Sequence, residues 1–433
     1  MIIERLNSLM HRLTDNTVFA DLLAPANRAL EPVRASASTG RSLEMADFLA
    51  LGVLRHLQGT TILREQVQAL RHLNPSEQQV VPLARSTWSE ALASPQRLDV
   101  LQAVLPHLRT QAAAQLPDHR SGLPELGERT VLAIDGTYQP ESARFQRQTP
   151  REGGNDNPKG HALLSIYDLR LGVPVDVQVD TRSRHEIRLL RDYDARENAL
   201  TRQRNALWLV DRAFIDAPFW DAKKRALGAT MITRWKSNLR IDSTESRPVA
   251  NDPLNEGIIS DCLVRLSSSP ELWRKVIYRT PRGRTVEFLS NDFQLQPGLL
   301  AFLCARRWDE EKGFDTWKND FAQNKAWCKR PVAIENQTCL AIITSMLAAM
   351  ALPAMLNEDD PRDEKALRNA DKRQALEPNH PNATDRPDWA AKAFRYTSKI
   401  SRQVLRFFKY CFLSPASPAL YEAQLRPMLE RYL

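Results

Sequence analysis

The spacing of apolar residues along the chain changes near residue 130. Before that point the apolar positions follow a helical period, as from Leu43 to Leu57 and from Pro95 to Leu108. From Thr130 onward, short apolar runs bounded by turn residues replace them. The pattern predicts an all-helical N-terminal region over residues 1–125, followed by a mixed α/β region. The helical region suits a DNA-binding module and a plain structural bundle equally well.

Five strands are predicted in the mixed region, and their order is informative. Strands are predicted at 131–134, 162–167, 173–179, 207–210 and 230–233, with helices at 184–200 and from Ala217 to about residue 226. Three strands, a helix, a strand, a helix and a strand form the order of a ribonuclease H-like core. In that order the first and fourth strands are neighbours, so residues that follow them come side by side.

The remainder of the chain divides into four further segments. A β-rich insertion is predicted at about 240–300, followed by a helix that begins near Cys304. The uncharged run from Asn336 to Asn357 contains polar residues and Pro353, which favours a buried helix over a membrane span. We therefore predict a catalytic domain over 126–356, and a charged linker with a helical C-terminal region over 357–433.

The charge and the cysteine pattern narrow the possible partners. The 433-residue chain has 60 Lys and Arg against 52 Asp and Glu, a formal net charge of +8, which favours nucleic acid as the partner. Its five cysteines contain no C-x-x-C pair, which argues against a zinc ribbon and a disulfide framework. Charged residues near Met1 do not fit a signal peptide. We expect a cytoplasmic protein that binds DNA.

Three acidic residues stand at positions suited to metal-dependent chemistry. Asp135 follows the first predicted strand, Asp211 follows the fourth, and Glu311 shares one helical seam with Arg307 and Lys318. Three carboxylates near one point repel each other unless cations neutralise them. Two Mg²⁺ ions about 4 Å apart serve in-line attack on a phosphodiester, and Mn²⁺ can replace them.

Each acid also has an ordinary structural interpretation, which for Asp211 is a turn residue at the end of its strand. Asp135 and Gly136 could form a turn after the strand. Arg307 and Glu311 could form a solvated i, i+4 pair on a surface helix. The combination of all three acids in order is much less expected by chance than any one of them.

Blocks of sequence surround these acids in a fixed order. Arg307, Glu311 and Lys318 form the pattern R-x3-E-x6-K. The blocks before it are VLAIDGT at 131–137, WLVDRAF at 208–214 and LSNDF at 289–293. From about residue 130 to 348, the chain resembles DDE transposases of the insertion sequence 4 type. One position departs from that family's signature: Cys304 stands where the signature has Tyr, three residues before Arg307.

The resemblance implies an activity, a metal and partners. It implies Asp135, Asp211 and Glu311 as catalytic, metal-binding residues, cut-and-paste transposition with two Mg²⁺ ions, and a homodimer that pairs the two ends of an element in the bacterial cytoplasm. Terminal inverted repeats and target DNA would be the substrates. Two alternatives stay open: a transposase-derived DNA-binding protein without catalysis, and a nuclease of the same fold.

The resemblance also implies residues that contact DNA. Arg307, Lys318 and Arg212 would hold backbone phosphates. Trp273 is the candidate to stack on a flipped base, with Trp235 as a second possibility; stacking of this kind requires an exposed aromatic face. The alternative for Trp273 is a core residue of the β-rich insertion.

Overall fold

The structure is a computed structural model, and its described residues cover most of the first 351 positions. They are 17–36, 43–58, 84–116, 118, 123–140, 160–180, 185–280, 283–306, 326–328 and 330–351. Glu311, Arg307 and Lys318, together with the predicted linker and C-terminal region at 357–433, lie outside them.

The N-terminal region is helical wherever it is described. It contains α1 (Thr17–Leu30), α2 (Met45–Gln58), α3 (Arg85–Leu92) and α4 (Pro95–Gln115). Pro95 at the first position of α4 lacks the N–H that a helix start leaves unbonded, and Ser94 Oγ accepts a hydrogen bond from the Arg97 N–H (3.4 Å). The prediction of helix in this region is confirmed for the described residues.

The core sheet has the predicted strand order. The elements are β1 (Val131–Pro140), β2 (Gly160–Asp168), β3 (Val173–Asp180), α5 (Glu186–Asp194), β4 (Leu207–Val210), α6 (Ala217–Leu227) and β5 (Thr230–Arg234). Their order across the sheet is β3-β2-β1-β4-β5, with β1, β4 and β5 mutually parallel and β1, β2 and β3 antiparallel. The ribonuclease H-like α/β core predicted from the sequence is confirmed.

The β-rich insertion extends this sheet. It contains β6 (Ile241–Arg247), β7 (Ile258–Leu266), β8 (Leu272–Arg279) and β9 (Thr285–Ser290). β9 pairs antiparallel with β5, so the described sheet has nine strands in the order β3-β2-β1-β4-β5-β9-β8-β7-β6. The apolar pattern of the sequence does not predict strand β6, because β6 is an edge strand whose side chains are polar and mostly exposed. Such a strand has no apolar alternation to detect.

Two apolar clusters cover the two faces of the core sheet. On one face, Leu132 and Trp208 belong to a cluster that includes the N-terminal helices and α8 (Pro331–Ala351). On the other face, Ala133 and Leu209 belong to a cluster that includes α7 (Pro297–Arg306). Because side chains alternate along a strand, neighbouring residues of β1 and β4 contribute to opposite faces.

Helix α8 is largely buried among the other described elements. It is long and apolar enough to cross a membrane by length and composition, but most of it is buried inside the protein. It packs against β3 and α4, and also against α1, α2 and α3. The prediction that the uncharged run near Asn336 forms a buried helix is confirmed.

Two predicted boundaries were wrong, the first of them for a tertiary reason. Strand β1 continues through Asp135 and Gly136 to Pro140, because β2 pairs with it along that whole length. The alternative interpretation of Asp135–Gly136 as a turn is therefore wrong. Helix α5 is limited to Glu186–Asp194, shorter than predicted.

Candidate active site

Asp135 and Asp211 stand side by side at one edge of the core sheet. The parallel pairing of β1 and β4 ends with Ile134 opposite Val210, and each acid is the next residue of its strand. Neighbouring strands are about 4.8 Å apart. The structure therefore brings these two predicted acids together, as the strand order required.

Both acids also share a face of the sheet. By the alternation of a strand, Asp135 falls on the face of Ala133, and Asp211 on the face of Leu209, which is the face covered by α7. Each carboxylate belongs to a half-buried residue. Asp135 Oδ1 accepts a hydrogen bond from the Gly136 N–H (2.9 Å), and the Asp211 carbonyl accepts one from the Phe214 N–H (3.0 Å) that closes a short 3-10 turn.

Helix α7 carries the chain from the insertion toward these strands. At its start, the Gly298 N–H donates to Asn255 Oδ1 (3.1 Å), and Arg274 Nη1 of β8 donates to the Leu295 carbonyl (2.6 Å). Its later apolar side chains, Leu303 among them, belong to the same cluster as Leu209. The described helix ends at Arg306, five residues before Glu311 in the sequence.

The two acids are a fitting but partial donor set for a divalent cation. Carboxylate oxygens are the hard ligands that Mg²⁺ prefers, and two of them stand on adjacent strands. Among the described residues, no three His, Cys, Asp or Glu side chains are placed to hold a metal ion together. The predicted third ligand, Glu311, falls outside those residues and its placement stays a prediction.

The prediction for Trp273 is corrected by its burial. Trp273 is 0% exposed, and its indole N–H donates to Ser269 Oγ (3.2 Å). A flipped base cannot stack on a ring that has no accessible face, so Trp273 is a core residue of the insertion. Trp235, the second candidate, is half-buried directly after β5, with Lys275 Nζ 4.5 Å from its ring centroid.

Two exposed arginines, Arg212 and Arg234, lie close in the strand register to the two acids. Arg212, a predicted DNA contact, is exposed and follows Asp211 in the 3-10 turn. Arg234 was not picked out from the sequence. It ends β5, and the pairing of Leu209 with Ile232 places it level with Asp211 and on the same face. The sequence pattern could have indicated Arg234, because it directly follows the predicted fifth strand, as each acid directly follows a predicted strand.

The block at 289–293 has a structural role in this chain. Asn291 Oδ1 accepts a hydrogen bond from the Met231 N–H (2.7 Å), which ties the end of β9 to the start of β5. Asp292 forms a 2.8 Å ion pair with Arg129 and accepts hydrogen bonds from Thr230 Oγ1 and the Leu295 N–H (both 2.9 Å). Thr230 begins β5, so these contacts lie at the opposite edge of the sheet from the two acids.

The signature position occupied by Cys304 lies inside the protein. Cys304 is 4% exposed and belongs to the apolar cluster between α7 and the sheet. A side chain at this position packs against the core and does not face the exposed side of the site.

Comparison with known proteins gives a matching family model and several similar solved structures. A family model described as transposase DDE domain matches residues 126–347. Comparison with curated protein sequences gives no match. One similar solved structure is titled "Cryo-EM structure of piggyBac transposase synaptic complex with hairpin DNA". It is 12% identical, with a TM-score of 0.38, over 98% of this chain and 84% of the other. At that score the likeness supports no argument about function.

Proposed function

The chain belongs to the transposase DDE domain family, and on that premise we propose that it is a metal-dependent DNA transposase. It would cut double-stranded DNA at the ends of an element and join the freed 3′ ends to target DNA. The observation that carries the proposal is the pair Asp135 and Asp211, adjacent on parallel strands. Both lie on the face covered by the helix that leads toward Glu311.

The residues of the chain would divide the chemistry among them. Asp135, Asp211 and Glu311 would hold the divalent cations, Mg²⁺ or Mn²⁺. When bound, such cations activate the attacking water or 3′-hydroxyl and stabilise the leaving oxygen. Exposed Arg212 and Arg234 would hold backbone phosphates beside the acids, and Arg307 and Lys318 would do so from the segment that carries Glu311. Pairing two element ends would require two copies of the chain.

A DNA excision assay tests this proposal. Purified protein is incubated with a plasmid that carries the gene and its native flanking DNA, with Mg²⁺, with Mn²⁺ and with EDTA. Asp135→Asn and Glu311→Gln remove one carboxylate charge each at nearly constant size. Glu197→Gln is the matched control, because Glu197 is exposed and pairs with Arg202 on the surface.

We expect metal-dependent release of the element by the wild type and the control, and none by the two site variants. Wild-type protein that binds the ends but never cuts them would replace the proposal with a DNA-binding role. Cutting without transfer of the ends to a second DNA would replace it with a nuclease.

A further inference from the structure

The core sheet opens at the level of the two acids. Up to Ile134 and Val210, β1 and β4 are paired. Beyond that level β1 continues along β2, whereas the chain after β4 turns into the 3-10 segment Arg212–Phe214. Next to Asp135, the side of β1 that faced β4 is therefore free of a paired strand within the described structure.

Glu186, at the start of α5, reaches this opening. Gly136 directly follows Asp135, and a Cβ placed on it would lie 2.7 Å from Glu186 Oε1 and 2.8 Å from Glu186 Cδ. Real Cβ atoms essentially never approach another atom this closely, so the carboxylate occupies the space that a side chain at position 136 would fill. Helix α5 also packs against the segment Arg212–Phe214 that follows Asp211.

Glu186 thus contacts the residue after one acid, and its helix contacts the segment after the other. It approaches from the face of Ile134 and Gly136, opposite the face of Asp135 and α7. From this place the negative charge of Glu186 would attract a cation held by the two acids through an intervening water molecule. A side chain at position 136 would block that approach.

Resting on the proposed function, we propose that Glu186 is a positioning residue that strengthens divalent cation binding at Asp135 and Asp211. Gly136 leaves room for the Glu186 carboxylate in its present position. Glu186 would thus be a fourth carboxylate of the site, in addition to the three acids of the DDE pattern.

Cation binding is measured with Mn²⁺ alone on the full chain, by calorimetry or by the spectroscopic signal of free Mn²⁺, without DNA. Glu186→Gln removes the charge at nearly constant shape. Loss of a supporting carboxylate around a metal typically costs tenfold to a hundredfold in affinity, and we expect at least about a tenfold loss here. Asp192→Asn is the matched control, since Asp192 is an exposed acid of the same helix. Its affinity for Mn²⁺ should equal that of the wild type.

Gly136→Ala tests the same contact without changing any charge. Gly136 does not have a positive φ, so alanine fits the backbone, but its Cβ would displace the Glu186 carboxylate. We expect weaker Mn²⁺ binding from this variant, and the double variant with Glu186→Gln should bind no more weakly than Glu186→Gln alone. A fully additive double loss would contradict the role of Gly136.

Asp135→Asn separates this inference from the proposed function. If Asp135→Asn loses Mn²⁺ binding while Glu186→Gln binds as tightly as the wild type, the role of Glu186 is overturned and the proposed site stands. If Asp135→Asn also binds normally, the proposed site itself fails. Unfolding midpoints of all variants, measured without metal, confirm that any loss comes from the site and not from the fold.

Discussion

At position 304, the residue type in the sequence motif does not match the buried environment in the structure. The motif places Tyr at this position, but the cysteine here is 4% exposed and packed in the cluster between α7 and the sheet. A buried site of this size has little space for an aromatic ring, because protein interiors are close-packed.

We predict that Cys304→Tyr destabilises the protein by about 1–3 kcal/mol, the usual cost of overpacking a core. The measurement is the midpoint of urea unfolding, compared with Cys304→Ala, which adds no volume. An unchanged midpoint for the tyrosine variant would mean that its ring turns out of the cluster toward the exposed side of the site.

Arg234, Asp135 and Asp211 share one feature of their local sequence. Each directly follows the apolar part of its strand, and strand register alone makes them level with one another. Trp273 shows the reverse case. The sequence predicted that Trp273 lies in the β-rich insertion. Its 0% exposure depends on packing between distant segments, which no local pattern encodes.

At the scale of elements, the Asp292 side chain links the segments at the starts of β1, β5 and α7. Its carboxylate pairs with Arg129 just before β1, accepts a hydrogen bond from Thr230 of β5, and accepts the Leu295 N–H before α7. Burial alone would raise the pKa of Asp292. The positive charge of Arg129 and the hydrogen bonds outweigh that effect and hold its pKa below the ordinary value.

We predict that Asp292→Ala lowers the free energy of unfolding by about 3–5 kcal/mol, because it leaves the Arg129 charge unpaired. Asp292→Asn is the control that keeps the shape and removes only the charge. A loss below about 1 kcal/mol for the alanine variant would contradict the structural role.

The stabilisation from the Asp292 charge should also depend on pH. Since the folded pKa lies below the unfolded value of about 3.9, this contribution is complete above that pH and is lost as the pH falls through the folded pKa. The difference in unfolding free energy between wild type and Asp292→Asn should therefore narrow below about pH 4. Urea unfolding at several pH values between 6 and 3 measures it.

At the scale of the whole molecule, the N-terminal helices and the core sheet share one apolar cluster through α8. Asn336 of α8 donates hydrogen bonds to the carbonyls of Leu92 (2.9 Å) and Ser94 (3.1 Å). His56 Nε2 of α2 lies 2.9 Å from the Gln337 carbonyl. The described N-terminal helices therefore contribute to the same core as the strands that carry Asp135 and Asp211.

We predict that residues 126–433 do not fold stably without residues 1–125. Removing α1 to α4 would expose the face of α8 that packs against them, and apolar surface of that extent favours aggregation or a loosely packed state. Binding of a hydrophobic dye and the loss of a cooperative thermal transition would report this outcome. A truncated protein with the melting temperature of the full chain would contradict it.

The sequence by itself determined the order of strands and helices in the core and the positions of Asp135 and Asp211 directly after the apolar runs of β1 and β4. These follow from local properties: the period of apolar residues and the polar residues that interrupt it. The cap at Asp216, whose carboxylate accepts a hydrogen bond from the Phe219 N–H (3.3 Å), is equally local.

The tertiary structure alone decided how far β1 extends, that the insertion continues the core sheet, and that Trp273 and Cys304 are buried. It also placed Glu186 against Gly136. Each of these depends on a partner far away in the sequence, such as β2 for β1 or β9 for β5. Pairing and burial energies of that kind arise between segments, so no window of neighbouring residues contains them.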